Sequence, residues 1–161
     1  YCSLRDTSPS PFGAYFKSPH CSLLSASVER FLSLSTTRKI ETRPIKGTAP
    51  LGKSVEEKIK NKNNLLKNEK ELAENLMITD LMRNDIGKVS TIASVTVPEL
   101  IEIEELKHIL HLVSEINGEL KEGLTPVAVL EAKIPSGSVT GAPKKREPEI
   151  IDHTEISPRG L

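Results

Sequence analysis

The sequence has no tryptophan, and aromatic residues make up 3% of its 161 positions. A core built from it has to be aliphatic, and the apolar share of 37% is below that of an ordinary compact domain. The two cysteines, Cys2 and Cys21, are too few for a disulfide framework or a cysteine metal site, so a reducing compartment is expected. An excess of one charge is missing too, since 22 Lys and Arg balance 22 Asp and Glu. That balance gives no electrostatic reason to expect nucleic acid or an acidic membrane surface as partner. No apolar run is long enough to span a bilayer, and no signal-peptide pattern follows Tyr1. The expected compartment is the cytoplasm, or a plastid if a transit segment preceded Tyr1. The length suits one domain or part of a larger one, and the low apolar fraction favours a part whose core is completed elsewhere.

What the sequence does have is local punctuation. Residues Glu41-Thr42-Arg43-Pro44-Ile45-Lys46-Gly47-Thr48-Ala49-Pro50 set a lysine between a β-branched residue and a Gly-Thr pair, with a proline on each flank. Pro44 fixes φ, and Gly47 can take backbone angles closed to other residues. The stretch reads as a strand end turning into a loop that holds Lys46 on short, stiff backbone. Gly47 and Thr48 could offer an N–H and a hydroxyl to an anion. The ordinary reading is a surface lysine in a turn. Upstream, prolines and Gly13 around Phe12, Tyr15 and Phe16 suggest that residues 1–19 are an irregular connection with an aromatic plug. Cys21 to Ala26 reads as a buried strand. Leu32, Leu34, Ile40 and Thr42 alternate around a Ser35-Thr36-Thr37-Arg38 turn, a hairpin whose outer ends would bring Glu29 towards Lys46. A carboxylate beside an amine can exchange protons with it or with a leaving oxygen. The alternative for Glu29 is a surface ion pair with Arg30 or Arg43.

Residues 52–85 read as two helices, the first opened by a capping box at Ser54-x-x-Glu57. Lys58 to Lys70 looks like a solvated insert. Leu72, Leu76, Ile78, Leu81 and Met82 form an apolar stripe at helical spacing, and the helix is expected to stop before Gly87. Glu71 and Glu74 lie three apart on one face, where they could bind a hard cation such as Mg²⁺ or simply be solvated. Val89 to Val97 reads as a strand stopped by Pro98. Residues 106–120 fit either element: Leu106, Ile109, Leu110 and Val113 suit a helix, whereas Ile109, His111 and Val113 alternate like a strand. Thr125-Pro126 is an N-cap and first-turn proline opening a helix to Ala132. In Pro135-Ser136-Gly137-Ser138-Val139-Thr140-Gly141-Ala142-Pro143-Lys144, glycines, hydroxyls and a helix-opening proline suit either an anion or an ordinary Gly-rich turn. Pro148 costs about 3 kcal/mol inside a helix, so a break is expected there.

Taken in order, these stretches resemble the chorismate-utilising enzymes, a family that includes anthranilate synthase, isochorismate and salicylate synthases and aminodeoxychorismate synthase component I. The resemblance runs over nearly the whole chain. Ser27-Val28-Glu29-Arg30-Phe31 resembles its Ser-Pro-Glu-Arg-Phe, with Val28 in place of the proline. Thr7-Ser8-Pro9 departs at the first residue from its Asn-Pro stretch. Pro44-Ile45-Lys46-Gly47-Thr48 looks like the form used by aminodeoxychorismate synthases, where anthranilate synthases typically carry alanine in place of Lys46. Glu71-Leu72-Ala73-Glu74-Asn75-Leu76-Met77-Ile78 resembles the metal-binding helix, with Asn75 where anthranilate synthases usually have histidine. His108 to Ser114 resembles a family strand, which favours a strand at 106–120. Gly137 to Lys144 closely resembles Gly-Ser-(Val/Met)-Thr-Gly-Ala-Pro-Lys.

The resemblance implies an α+β fold of antiparallel sheets packed face to face with outer helices. Residues 1–161 would be a partial chorismate-binding catalytic domain whose N- and C-terminal parts are missing. It implies amination of chorismate at C4, with ammonia from a glutamine amidotransferase, on the route to para-aminobenzoate and folate. Lys46 would add at C2, Glu29 would serve as acid and base, and His111 would hydrogen-bond or handle protons near the enolpyruvyl group. Gly47, Thr48, Gly137, Ser138, Thr140 and Lys144 would bind substrate, and Mg²⁺ on Glu71 and Glu74 would hold the C1 carboxylate. The family's Arg-Gly-x-Tyr motif would start at Arg159-Gly160. A substrate-binding arginine, an anion loop and a second carboxylate pair would come later, so the 161 residues alone are expected to be inactive. The alternatives are anthranilate synthase component I, disfavoured by Lys46 and Asn75, and an inactive remnant.

Overall fold

The computed structural model describes residues 1–7, 9–144 and 146–157. Ser8 and Arg159-Gly160, on which two of the motif comparisons fall, lie outside them. In chain order the elements are α1 (Cys2–Thr7), β1 (Phe12–Lys17), β2 (Ser22–Ser27), β3 (Arg30–Leu34), β4 (Lys39–Arg43), β5 (Ile45–Pro50), α2 (Val55–Leu66), α3 (Glu69–Val89), β6 (Thr96–Glu105), β7 (Ile109–Glu119), α4 (Pro126–Lys133), α5 (Gly137–Thr140) and α6 (Arg146–Thr154). The expected α+β class with antiparallel sheets holds.

Everything is built on β7, which settles Ile109–Glu119, most of the undecided stretch 106–120, as a strand. Its C-terminal half pairs with β4 and its N-terminal half with β5 along one edge, while β6 occupies the other edge. β3 closes the far side of β4, giving the order β3-β4-β7-β5 with β6 beside β7. The hairpin read from alternation is present, with Leu34 opposite Ile40 and Ser33 opposite Glu41. α3 packs Ile78, Met82, Ile86 and Val89 onto Ile40, Ile116 and Leu120, with Val129 of α4 joining them. A second cluster joins Leu65 of α2 to Leu110 and Leu112. The buried members of both clusters are aliphatic apart from Met82, as the composition requires.

Several local expectations are corrected. Residues 1–19 are not irregular, since they hold α1 and β1. β2 is a strand but not a buried one: among the described residues it pairs only with β1, in a separate two-stranded sheet, and Tyr15, Phe16, Leu23 and Leu24 stay exposed. The capping box at α2 closes one residue early, because Ser54 Oγ accepts from Glu57 N while the Glu57 carboxylate accepts from Lys53 N. α3 does not stop before Gly87. Ile86 and Val89 on either side of it are buried, and their packing carries the helix past a glycine that faces open space. Val89 therefore ends a helix, and β6 begins at Thr96 and runs through Pro98. That proline is tolerated because β6 is an edge strand whose pairing is irregular between Thr96 and Glu99. Pro148 does not break α6; it sits in the first turn, where its missing N–H would have no intrahelical acceptor. Among the described residues no helix is long and apolar enough to cross a membrane.

Candidate active site

β4 turns into β5 at Pro44, and β5 then loses register with β7. Ile45 faces Val113 and Thr48 faces His111, so β5 spends one residue more than β7 between the two pairs. The resulting bulge falls on Lys46-Gly47 and re-aims the lysine. Gly47 takes φ +93°, and a Cβ there would lie 2.8 Å from Leu112 Cδ1 and 3.3 Å from Glu71 Cβ. Only glycine satisfies both the angle and the close approach of β7 and α3.

From this bulge Lys46 Nζ reaches across to donate to the Ser138 carbonyl at 3.1 Å. Ser138 Oγ in turn donates to Glu29 Oε2 at 3.3 Å. The structure thus brings Glu29 and Lys46 together on one residue of α5 rather than by direct contact. Glu29 stands immediately before β3, half-buried. The arginines that could have neutralised it are engaged elsewhere: Arg30 pairs with Glu41, and Arg43 with Glu99, Glu104 and Glu115.

Next to the bulge, Thr48 Oγ1 and His111 Nδ1 are 2.9 Å apart. The other ring nitrogen, Nε2, is buried without a partner among the described residues. Burial pushes the imidazole below its ordinary range, against the opposing pull of Glu104 and the Gly47 backbone, so His111 is neutral at pH 7. A neutral ring with one free nitrogen can donate or accept one hydrogen bond, according to tautomer.

Glu71 and Glu74 lie one turn apart at the start of α3, with Glu71 against the Gly47 bulge. Glu74 has Lys70 Nζ 3.7 Å from its Oε1. Among the described residues no group of three or more His, Cys, Asp or Glu is placed to hold a metal. The pair still fits Mg²⁺ in its usual habit of binding through one or two carboxylates plus waters and substrate oxygens. Asn75, wholly buried, fixes the helix that carries the pair: it donates to Leu112 O at 3.1 Å and accepts from Ser114 Oγ at 2.6 Å.

The remaining expected residues divide. Gly137 is buried against Leu81, where a Cβ would collide. Thr140 Oγ1 donates back to Ser136 O at 3.0 Å within its own turn. Lys144 was expected to meet the substrate, but all three of its donors are engaged within the protein. They go to Asp85 Oδ2 at 2.8 Å, Lys133 O at 2.9 Å and Ala132 O at 3.0 Å, and so anchor the loop. Sequence reading missed Lys133 altogether. It is 1% exposed, and burial pushes its ammonium down to about 8, with Asp85 and Glu29 opposing and Lys144 adding to the effect. The available signal was spacing: Lys133 is four residues after the buried Val129 and so shares its face.

Residues 1–161 match the chorismate binding enzyme family. Aminodeoxychorismate synthase component 1 of Bacillus subtilis (strain 168) is 44% identical over 161 residues, 100% of this chain and 34% of that protein. Anthranilate synthase component 1 of Thermus thermophilus is 45% identical over 160 residues, 99% of this chain and 34% of its own length. The crystal structure of anthranilate synthase component I from Streptococcus pneumoniae TIGR4 superposes with a TM-score of 0.87 at 35% identity, covering 99% of this chain and 34% of that one. The chain thus spans about a third of the length of these relatives. It belongs to the chorismate binding enzyme family, and overall identity favours neither synthase.

Proposed function

We propose that these residues are part of an aminodeoxychorismate synthase component I, which aminates chorismate at C4. The observation that carries this reading is Lys46 on the bulge, with its amine on the Ser138 carbonyl and the Glu29 carboxylate on the Ser138 hydroxyl. An amine that adds to a ring has to be neutral, and it needs its lone pair free. A carbonyl acceptor suits that need, since it binds one N–H and leaves the lone pair pointing elsewhere. Nζ bonds to C2, both ring double bonds shift by one bond towards C4, and the 4-hydroxyl leaves as water with a proton from Glu29. Ammonia then bonds to C4, gives its extra proton back to Glu29, and the C2–Nζ bond breaks. Chorismate and ammonia go in; aminodeoxychorismate and water come out.

His111 holds a substrate oxygen through its free Nε2, at the enolpyruvyl end. Mg²⁺ held by Glu71 and Glu74, when bound, supplies positive charge for the substrate's ring carboxylate. Ammonia comes from a glutamine amidotransferase, separate or fused, and the product leads to para-aminobenzoate and folate. The second reading is anthranilate synthase component I, since the chain is as similar to the Thermus thermophilus protein, at 45% identity, as to the Bacillus subtilis one, at 44%. The test is product analysis of the full-length protein with chorismate, ammonium and Mg²⁺. Aminodeoxychorismate is expected, and anthranilate as the only product overturns the reading.

A further inference from the structure

Lys133 is the largest fully buried side chain among the described residues, and its surroundings are poor in compensating groups. Its ammonium donates to Thr42 Oγ1 at 2.6 Å, lies 3.9 Å from Met82 Sδ, and sits 4.7 Å above the Phe31 ring. Among the described residues no carboxylate lies within ion-pair distance of it. An apolar side chain would fill this space with less penalty, because a charge removed from water is expensive unless paired.

The contacts lead to the site. Thr42 accepts from Lys133 and passes the connection on by donating to Phe31 O at 2.8 Å, two residues after Glu29. The Lys133 carbonyl accepts from Lys144. Segment 134–143 therefore leaves Lys133 and returns to it, with Ser138 in its middle holding Glu29 and Lys46. The charged groups around the ammonium come from three places: Glu29 ahead of β3, Asp85 on α3, and Lys144 at the loop's end. Asp85 is also paired with Lys88 at 2.8 Å.

We propose that Lys133 is a positioning residue of the active site: its buried ammonium fixes the Ser138 loop against β3 and β4 and is the positive charge in whose field the Glu29 carboxylate is held. The proposal rests on the roles given above to Glu29 and Lys46. At neutral pH the ammonium is charged. It is lost in the mildly alkaline range, because burial brings it to about 8, where a surface lysine would keep its proton.

The test uses the full-length protein and Lys133→Met, which keeps the volume and removes the charge. The variant is expected to melt no lower than the parent. Its kcat should fall about tenfold or more with KM changed less than about threefold, as for a displaced catalytic group. The alkaline fall in rate near pH 8 should disappear from its pH profile, which a merely structural lysine would not produce. Unchanged kcat and pH profile, or a loss confined to KM, overturns the proposal. A second measurement needs no activity: NMR titration of the lysine side chains in the parent and in Glu29→Gln. Loss of the neighbouring carboxylate should lower the Lys133 midpoint by about half a pH unit or more. Coincident titrations overturn the coupling, whatever product the parent makes and whether or not Lys133→Met folds. A parent that makes only anthranilate removes the proposed reaction but leaves this titration to decide the coupling.

Discussion

The cluster on Ser138 and the knot on Asp85 are joined by one short loop, and they are wired differently. In the knot, Asp85 uses one oxygen for Lys88 and the other for Lys144, each at 2.8 Å, and Lys144 uses all three donors. Among the described residues the groups at the bulge are only partly satisfied: Lys46 donates to a single carbonyl, that of Ser138, and His111, beside Thr48, keeps a buried nitrogen free. Where the chain holds itself together, polar groups are paired; at the proposed site, partners are left that a substrate would supply. Lys133 belongs to neither kind, being buried like the knot and under-paired like the cluster.

Lys46→Ala probes this contrast with the largest effect. Aminodeoxychorismate formation in the full-length protein should drop by at least about a thousandfold, as when a member of a catalytic unit is removed. Stability should move by less than about 0.5 kcal/mol, because the side chain is half-exposed and holds one hydrogen bond among the described residues. Unchanged turnover with chorismate and ammonia would take Lys46 out of the chemistry.

Asp85→Asn should do the reverse. It leaves Lys144 facing a neutral amide in a nearly closed site, and breaking a buried pair from one side costs about 3–5 kcal/mol. Urea unfolding measures it, and a loss below about 1 kcal/mol would mean that the knot is not what ties the loop to α3.

Between these two stands pH. Above about 8 the folded protein has released the Lys133 proton, while the unfolded chain holds it up to the ordinary value of 10.5. The unfolded state then binds more protons, so stability rises with pH across that window, by at most about 3 kcal/mol. His111 has the same sign at lower pH: its folded value is depressed, so stability falls as pH drops below 6.5. Unfolding free energies of parent and Lys133→Met, compared from about pH 7.5 to 10.5, should show the alkaline gain only in the parent. Parallel curves would mean that the Lys133 proton is not held differently in the folded state.

Much of this frame was legible. Alternation about the Ser35–Arg38 turn gave the β3–β4 hairpin, the apolar stripe gave α3, and Thr125-Pro126 gave the start of α4. These are local signals. Gly87 and Pro98 misled because tertiary packing and edge position override local preference. Residues 106–120 were undecidable from periodicity, and only the motif around His111 pointed to a strand. The meeting of Glu29 and Lys46 on Ser138 spans 109 and 92 positions, and no local pattern encodes which residue of a Gly-rich loop will face a bulge. Lys133 was missed for a different reason: lysine is read as a surface residue by default, and its burial depends on a pocket made by β3, β4 and α3.

The smallest effect on the fold is expected from Glu74→Gln. Glu74 is 41% exposed, and its one ion-pair partner among the described residues is Lys70, one turn earlier at 3.7 Å. A lysine preceding a glutamate at this spacing is the weaker orientation, and such surface pairs contribute about 0.3–0.5 kcal/mol. Unfolding should therefore barely change, in contrast to Asp85→Asn, although both replace a carboxylate on α3 by its amide. The difference lies in the assigned work. Asp85 has its cations inside the protein, whereas Glu74 has only an exposed lysine near Oε1 and, among the described residues, no partner on Oε2, one turn from Glu71 at the Lys46-Gly47 bulge. Replacing one of two carboxylates weakens a hard cation's hold more than it weakens the helix. In the full-length protein the Mg²⁺ concentration for half-maximal rate should rise about tenfold or more, a loss of about 1.4 kcal/mol in binding. Superimposable Mg²⁺ titrations for variant and parent would make Glu74 a solvated surface residue, leaving Glu71 alone on the bulge.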